Sequence, residues 1–161
     1  MILVSSCLLD VHSKYDGTSN ANALLMKYTH LGKYIPVCPE QLGGLPTPRS
    51  PVELAGGSGE DVLLKGGKAY DQQGRDVTAQ FVRGAEEVLK ISRAFPVTAA
   101  ILKQRSPSCG SSLIYDGTFA HRTKPGRGVT AALLDRYTIP VYSEEELTPE
   151  LLEKLLEKCP Y

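Results

Sequence analysis

Three of the four cysteines in this 161-residue chain come just after a short apolar run. Cys7 follows Met1-Ile2-Leu3-Val4, and Cys38 follows Tyr34-Ile35-Pro36-Val37. Cys109 closes the polar loop Lys103-Gln104-Arg105-Ser106-Pro107-Ser108 behind the run at 97–102. A short apolar run bounded by Pro, Gly or Ser reads as a buried strand leading into a loop. Three strand ends that each carry a thiol point to one shared site. Three soft thiolates without a fourth suit zinc with one open position, or an iron-sulfur cluster in which one iron lacks a protein ligand. Either centre is a Lewis acid. The chain has no Cys-x-x-Cys pair and the separations match no finger or ferredoxin run, so a third reading, three buried thiols that only pack, stands beside these two. A carboxylate, Glu40, lies two residues past Cys38, and Ser106 and Ser108 precede Cys109. Cys159, in the last helical stretch, reads as a packing or exposed thiol rather than a ligand.

The elements that must position these groups follow from periodicity. The run at 1–6 is apolar without alternation, which predicts a strand buried on both faces. Ala21, Leu24, Leu25, Tyr28 and Leu31 recur at helical spacing, with Ser19 or Asn20 as cap and Gly32 as stop. A second strand at 34–37 and a Pro/Gly-rich loop at 38–44 come next. Residues 46–59 read as further loop, and 61–78 as a small hairpin turning at Gly66-Gly67. A long helix capped by Asp76 or Thr78 runs to about Phe95 and presents Phe81, Val82, Ala85, Val88 and Leu89 as one stripe. A strand at 97–102 leads into the Cys109 loop, and the short apolar piece Leu113-Ile114-Tyr115 is followed by a polar, flexible stretch at 118–127. Gly126-Arg127-Gly128 opens a helix at 129–137, whose free N–H groups suit an anion or polar ligand, although Gly-x-Gly alone is no dinucleotide fingerprint. A last strand at 139–142 and an amphipathic helix to 158 complete the pattern. This alternation predicts an α/β fold: a Rossmann-like open, mostly parallel sheet flanked by helices, with a small hairpin insertion, in one domain spanning 1–161.

Composition narrows the partners. Eighteen basic residues balance eighteen acidic ones, so no global basic field draws in a nucleic acid polymer, and a small, weakly charged ligand is expected instead. The opening residues carry no basic n-region, and no window approaches the roughly 18 apolar residues of a membrane span. The chain is therefore expected to be cytoplasmic, where thiols stay reduced and serve packing, ligation or chemistry.

The blocks Ser6-Cys7-Leu8-Leu9, Tyr15-Asp16-Gly17, Cys38-Pro39-Glu40 with Gly43-Gly44, Arg105-Ser106-Pro107-Ser108-Cys109-Gly110 and Gly126-x-Gly128-Val129-Thr130-Ala131 occur in this order across nearly the whole chain. Together they resemble the thiouracil desulfidase family in its short, single-domain form. The chain departs from the pattern at Asp10, where a glycine is expected after Cys-Leu-Leu. The resemblance implies a 4Fe-4S cluster held by Cys7, Cys38 and Cys109, with one iron open to the sulfur of a thiopyrimidine. It implies non-redox hydrolysis of thiouracil to uracil and sulfide, with Glu40 as acid/base. Ser106 would relay a proton or hold the substrate, while Ser108 would orient the neighbouring cysteine or contact substrate. Asp16, a turn former first, and Gly128 are further expected substrate contacts. Two rivals remain: a zinc hydrolase using the same thiolates, and a non-enzymatic iron-sulfur redox sensor.

Overall fold

The computed structural model describes residues 1–159. Its central sheet is built around β1 (Ile2–Ser5), with β2 (Tyr34–Val37) on one side, β5 (Ala99–Leu102) on the other, and β8 (Val141–Ser143) beyond β5. All pairings are parallel; Leu3 lies opposite Ile35 and Ala100, and Ile101 opposite Tyr142. Successive side chains of a strand point to opposite faces, and both faces of β1 are covered. Leu3 joins Ala100 and Leu102 under Phe81, Val88 and Leu134, from the helices α4 (Thr78–Ala94) and α5 (Val129–Arg136). Ile2 and Val4 join Ala99 and Ile101 against Leu25, Leu152 and Leu156, from α1 (Ala23–Lys27) and α6 (Pro149–Glu157). Double coverage explains why the strands are apolar without alternation. Truncating Leu3 to alanine in such a core costs roughly 2–5 kcal/mol. The expected α/β sheet flanked by helices is therefore what forms.

Several local expectations are corrected. The hairpin does not lie within 61–78; β3 (Val52–Ala55), from the stretch read as loop, pairs antiparallel with β4 (Lys68–Asp71), Val52 opposite Asp71. The apolar piece around Val62 is instead helix α3 (Gly59–Leu63), because Ser58 and Asp61 form a reciprocal capping box. The polar stretch after Tyr115 is partly ordered: β6 (Leu113–Tyr115) pairs antiparallel with β7 (Thr123–Pro125). The first helix is shorter than its periodicity suggests, since Asn22 rather than Ser19 or Asn20 caps it, its Oδ1 accepting from Leu24 and Leu25 N–H at 3.1 and 3.0 Å. A separate 3-10 turn, Thr29–Leu31, carries the rest to Gly32. The loop after Cys38 also holds a short helix, α2 (Pro39–Leu42), which Pro39 starts at the position where its missing N–H costs nothing.

Candidate active site

In open parallel sheets ligands bind outside the carboxyl ends of the strands, where strand order switches direction. Here that switch is at β1, which has β2 on one side and β5 on the other. Cys7 sits in the 3-10 turn Ser6–Leu9 leaving β1, Cys38 directly follows β2, and Cys109 lies in the loop leaving β5. All three line one cavity of about 410 Å³. The first loop departs from the sheet through Asp10, which adopts the left-handed conformation at φ 63° that glycine favours. Aspartate is among the few side chains that tolerate this region, and here its Oδ1 accepts from Ser19 Oγ at 2.6 Å. The aspartate thus takes the conformation expected of a glycine at this position.

The Cys109 loop is organised by Gln104, a buried side chain that reading by residue type passed over. Its Oε1 accepts from the N–H groups of Ser111, Ser112 and Leu113 at 3.1, 3.3 and 3.2 Å, and its Nε2 donates to Ser112 Oγ at 3.0 Å. Glu144 anchors the start of the loop, accepting from Gln104 N–H at 2.7 Å and pairing with Lys103. The far side rests on the N-terminus of α5. Gly128, Val129 and Thr130 N–H donate to the carbonyls of Gly110, Pro107 and Ser108 at 2.8, 3.0 and 2.9 Å. The amides that looked free for an anion are therefore spent on the loop, and Gly128 lies outside the cavity lining.

Glu40 is buried in the first turn of α2. That turn docks so closely on α4 that a Cβ at Gly84 would fall 2.0 Å from the Pro39 carbonyl oxygen. The two carboxylate oxygens have separate partners: Oε2 accepts from Arg49 Nε at 2.6 Å, and Oε1 from Ser108 Oγ at 3.1 Å. The Ser108 hydroxyl also lies 3.1 Å from Ser106 Oγ and 3.7 Å from Cys109 Sγ, so its single proton faces three acceptors. Ser106 is one step further off; its Oγ accepts from the N–H groups of Ser108 and Cys109 at 3.2 and 3.1 Å, which shapes the loop. Both serines line the cavity, and Ser108 is the one linked to Glu40.

Burial pushes all three thiols up, most strongly Cys109, to about 12. The side chains of Asn20 at Cys7 and Ser5 at Cys109, and the charge of Arg49 near Cys38, pull the other way. Asp16 does not line the cavity. It is an exposed turn residue whose carboxyl is held down to about 2 by the Thr18 hydroxyl and by Lys14, 3.0 Å away. Glu53 was missed: an acidic residue between Val52 and Leu54, it is buried at the cavity wall and accepts from Gly117 and Phe119 N–H at 2.9 and 3.0 Å. That grip holds the β6–β7 connection so that Tyr115 and Phe119 face the cavity. A polar residue in an otherwise apolar strand was the available signal for it. Among the described residues no three His, Cys, Asp or Glu side chains are grouped so that they could hold one metal ion.

The model of the 2-thiouracil desulfurase family matches residues 2–146, a span that takes in the central sheet, all three thiol-bearing loops and Glu40. The protein YbbK of Bacillus subtilis (strain 168), described as uncharacterized, is 46% identical over 147 residues, covering 91% of this chain and 97% of its own. A solved structure described as the [4Fe-4S]-dependent thiouracil desulfidase TudS superposes with a TM-score of 0.84 at 42% identity, covering 97% of both chains. With the matched span reaching from the first strand past the last, the chain belongs to the 2-thiouracil desulfurase family.

Proposed function

We propose that the protein hydrolyses thiouracil to uracil and sulfide with a 4Fe-4S cluster held by Cys7, Cys38 and Cys109. The observation that carries this reading is the Ser108–Glu40 pair, 3.1 Å apart, in the same cavity as the three thiols. The donor set fits a cluster. The thiols come from three separate loops around one cavity, and three thiolates around a cluster would leave one iron without a protein ligand. Their raised pKa values describe thiols that need a cationic partner to ionise. When bound, the cluster supplies a soft Lewis acid whose unligated iron can take a thiocarbonyl sulfur.

In the overall change, water contributes its oxygen to the ring carbon, the carbon–sulfur bond breaks, and sulfur leaves as sulfide with its electron pair. No electrons are exchanged, but protons must move from the water oxygen towards sulfur. Glu40 takes such a proton at Oε1, the oxygen not held by Arg49, and the Ser108 hydroxyl passes it on, a reading supported by the contact between the two groups. Val37, Val52 and Phe119 give part of the cavity an apolar wall against which a flat ring can pack.

The test is anaerobic purification with iron and sulfide analysis, followed by incubation with thiouracil and assay of released sulfide. An iron-sulfur protein that releases sulfide without added reductant is the expected result. A protein that binds zinc and no iron, or a loaded cluster inert towards thiouracil, overturns the proposal.

A further inference from the structure

We infer that Arg49 is a positioning residue that locks Glu40 and the Cys38 loop into one frame, an inference that rests on the desulfidase reading of the site. Its side chain is only 7% exposed, and a buried guanidinium persists where its donors are met. Nε donates to Glu40 Oε2 at 2.6 Å. Nη1 donates to Thr47 Oγ1 at 2.9 Å and the Pro46 carbonyl at 3.3 Å. Nη2 donates to the Ser13 carbonyl at 3.0 Å and lies 3.9 Å from Cys38 Sγ. The Ser13 carbonyl also accepts from the Cys38 thiol at 3.7 Å, and Ser13 Oγ lies 2.6 Å from Ser6 Oγ, beside Cys7. One planar group thus ties the loop after β1 to the turn after β2.

The consequence for chemistry is directional. With Oε2 held by Arg49, the carboxylate of Glu40 can turn only Oε1 towards Ser108. A guanidinium presents five donors in a rigid fork, whereas a lysine ammonium is a point charge on a flexible stem and cannot span the same acceptors. Misplacing a reacting group by about 1 Å costs on the order of 10²-fold in rate.

The experiment compares Arg49→Lys, Glu40→Gln and the double variant, each anaerobically loaded, by iron content, electron paramagnetic resonance and midpoint potential of the cluster, and kcat and KM for thiouracil. Arg49→Lys is expected to keep iron content, lower kcat by roughly 10–100-fold and leave KM within a factor of about 3. In the Glu40→Gln background the same change should cost little more, because Arg49 acts through Glu40. Wild-type kcat in Arg49→Lys, or losses that multiply in the double variant, overturns the inference. Should wild-type protein carry its cluster yet release no sulfide, the desulfidase reading fails and Arg49→Gln decides the remainder. Loss of the cation beside Cys38 should lower the midpoint potential, and an unchanged potential would overturn the Arg49 frame as well.

Discussion

Gly128 presses against the backbone of Ser108 so closely that a Cβ there would lie 2.4 Å from the Ser108 carbonyl carbon and 2.8 Å from Cys109 N. The start of α5 and the loop bearing Cys109 are thus one packed unit, stitched by amide-to-carbonyl bonds from Gly128, Val129 and Thr130. Gly128→Ala cannot be absorbed by a flexible side chain, because every close atom is backbone. The expected outcome is a loss of roughly 1–3 kcal/mol in stability with iron content well below wild type. Urea unfolding and iron analysis read both quantities. Full iron loading at unchanged stability would mean the loop moves aside freely.

The two serines before Cys109 should separate by phenotype. Ser108→Ala removes the hydroxyl facing Glu40 while leaving the loop's backbone bonds, so cluster content is expected to hold and kcat to fall by about 10²-fold or more. Ser106→Ala removes an acceptor for two N–H groups, so its first effect should be on stability and cluster retention, at about 1–3 kcal/mol. Parallel measurement of iron content and sulfide release distinguishes them. The opposite pattern would move the proton-relay role to Ser106.

How far the site was legible follows from what each residue does. The thiol-bearing strands could be read because burial on both faces writes an unbroken apolar run, and parallel connections return every strand's carboxyl end to the same side. Glu40 and the serines could be nominated from the motifs, yet which serine meets Glu40 depends on side-chain direction within one turn. Arg49 could not be singled out, since its role arises where the loop after β1 meets the turn after β2. Gln104 looked like any polar loop residue until its own loop closed around it, and Glu53 offered only the signal of a charge within an apolar strand. The β3–β4 pairing escaped for a related reason: its partners are separated by the capped helix α3, and Val62 looked equally like strand until Ser58 and Asp61 were seen to cap it.

Gln104→Ala should test the loop independently of chemistry. Three part-buried backbone N–H groups lose their shared acceptor, and water can replace it only in part, so each lost bond should cost on the order of 1 kcal/mol. A destabilisation of about 3 kcal/mol in the cluster-free protein is expected by urea unfolding. A change below about 0.5 kcal/mol, the range of ordinary surface substitutions, would show that the loop is held by α5 alone.

Cys159 should prove dispensable for the cluster. Its Sγ lies 3.5 Å from Thr98 Oγ1, and Thr98 precedes β5, so the thiol sits at the amino ends of the strands. Cys7, Cys38 and Cys109 leave from the carboxyl ends, and a four-residue strand rising about 3.3 Å per residue separates the two levels by about 13 Å. Cys159 is also packed among Ile2, Ala99 and Leu155, and its thiol is directed at the Leu155 carbonyl at 3.4 Å. Cys159→Ser is therefore expected to keep full iron and sulfide content and wild-type kcat, with a stability cost of about 1–3 kcal/mol from burying a hydroxyl in an apolar cluster. In the cluster-free protein, alkylation followed by mass spectrometry should label the partly exposed Cys7 and Cys38 before the buried Cys109 and Cys159. Cluster loading should then protect Cys7, Cys38 and Cys109 and leave Cys159 unchanged. Iron loss in Cys159→Ser, or protection of Cys159 on loading, would mean a fourth protein ligand and no open iron, and the hydrolytic mechanism would fall in favour of electron transfer or sensing.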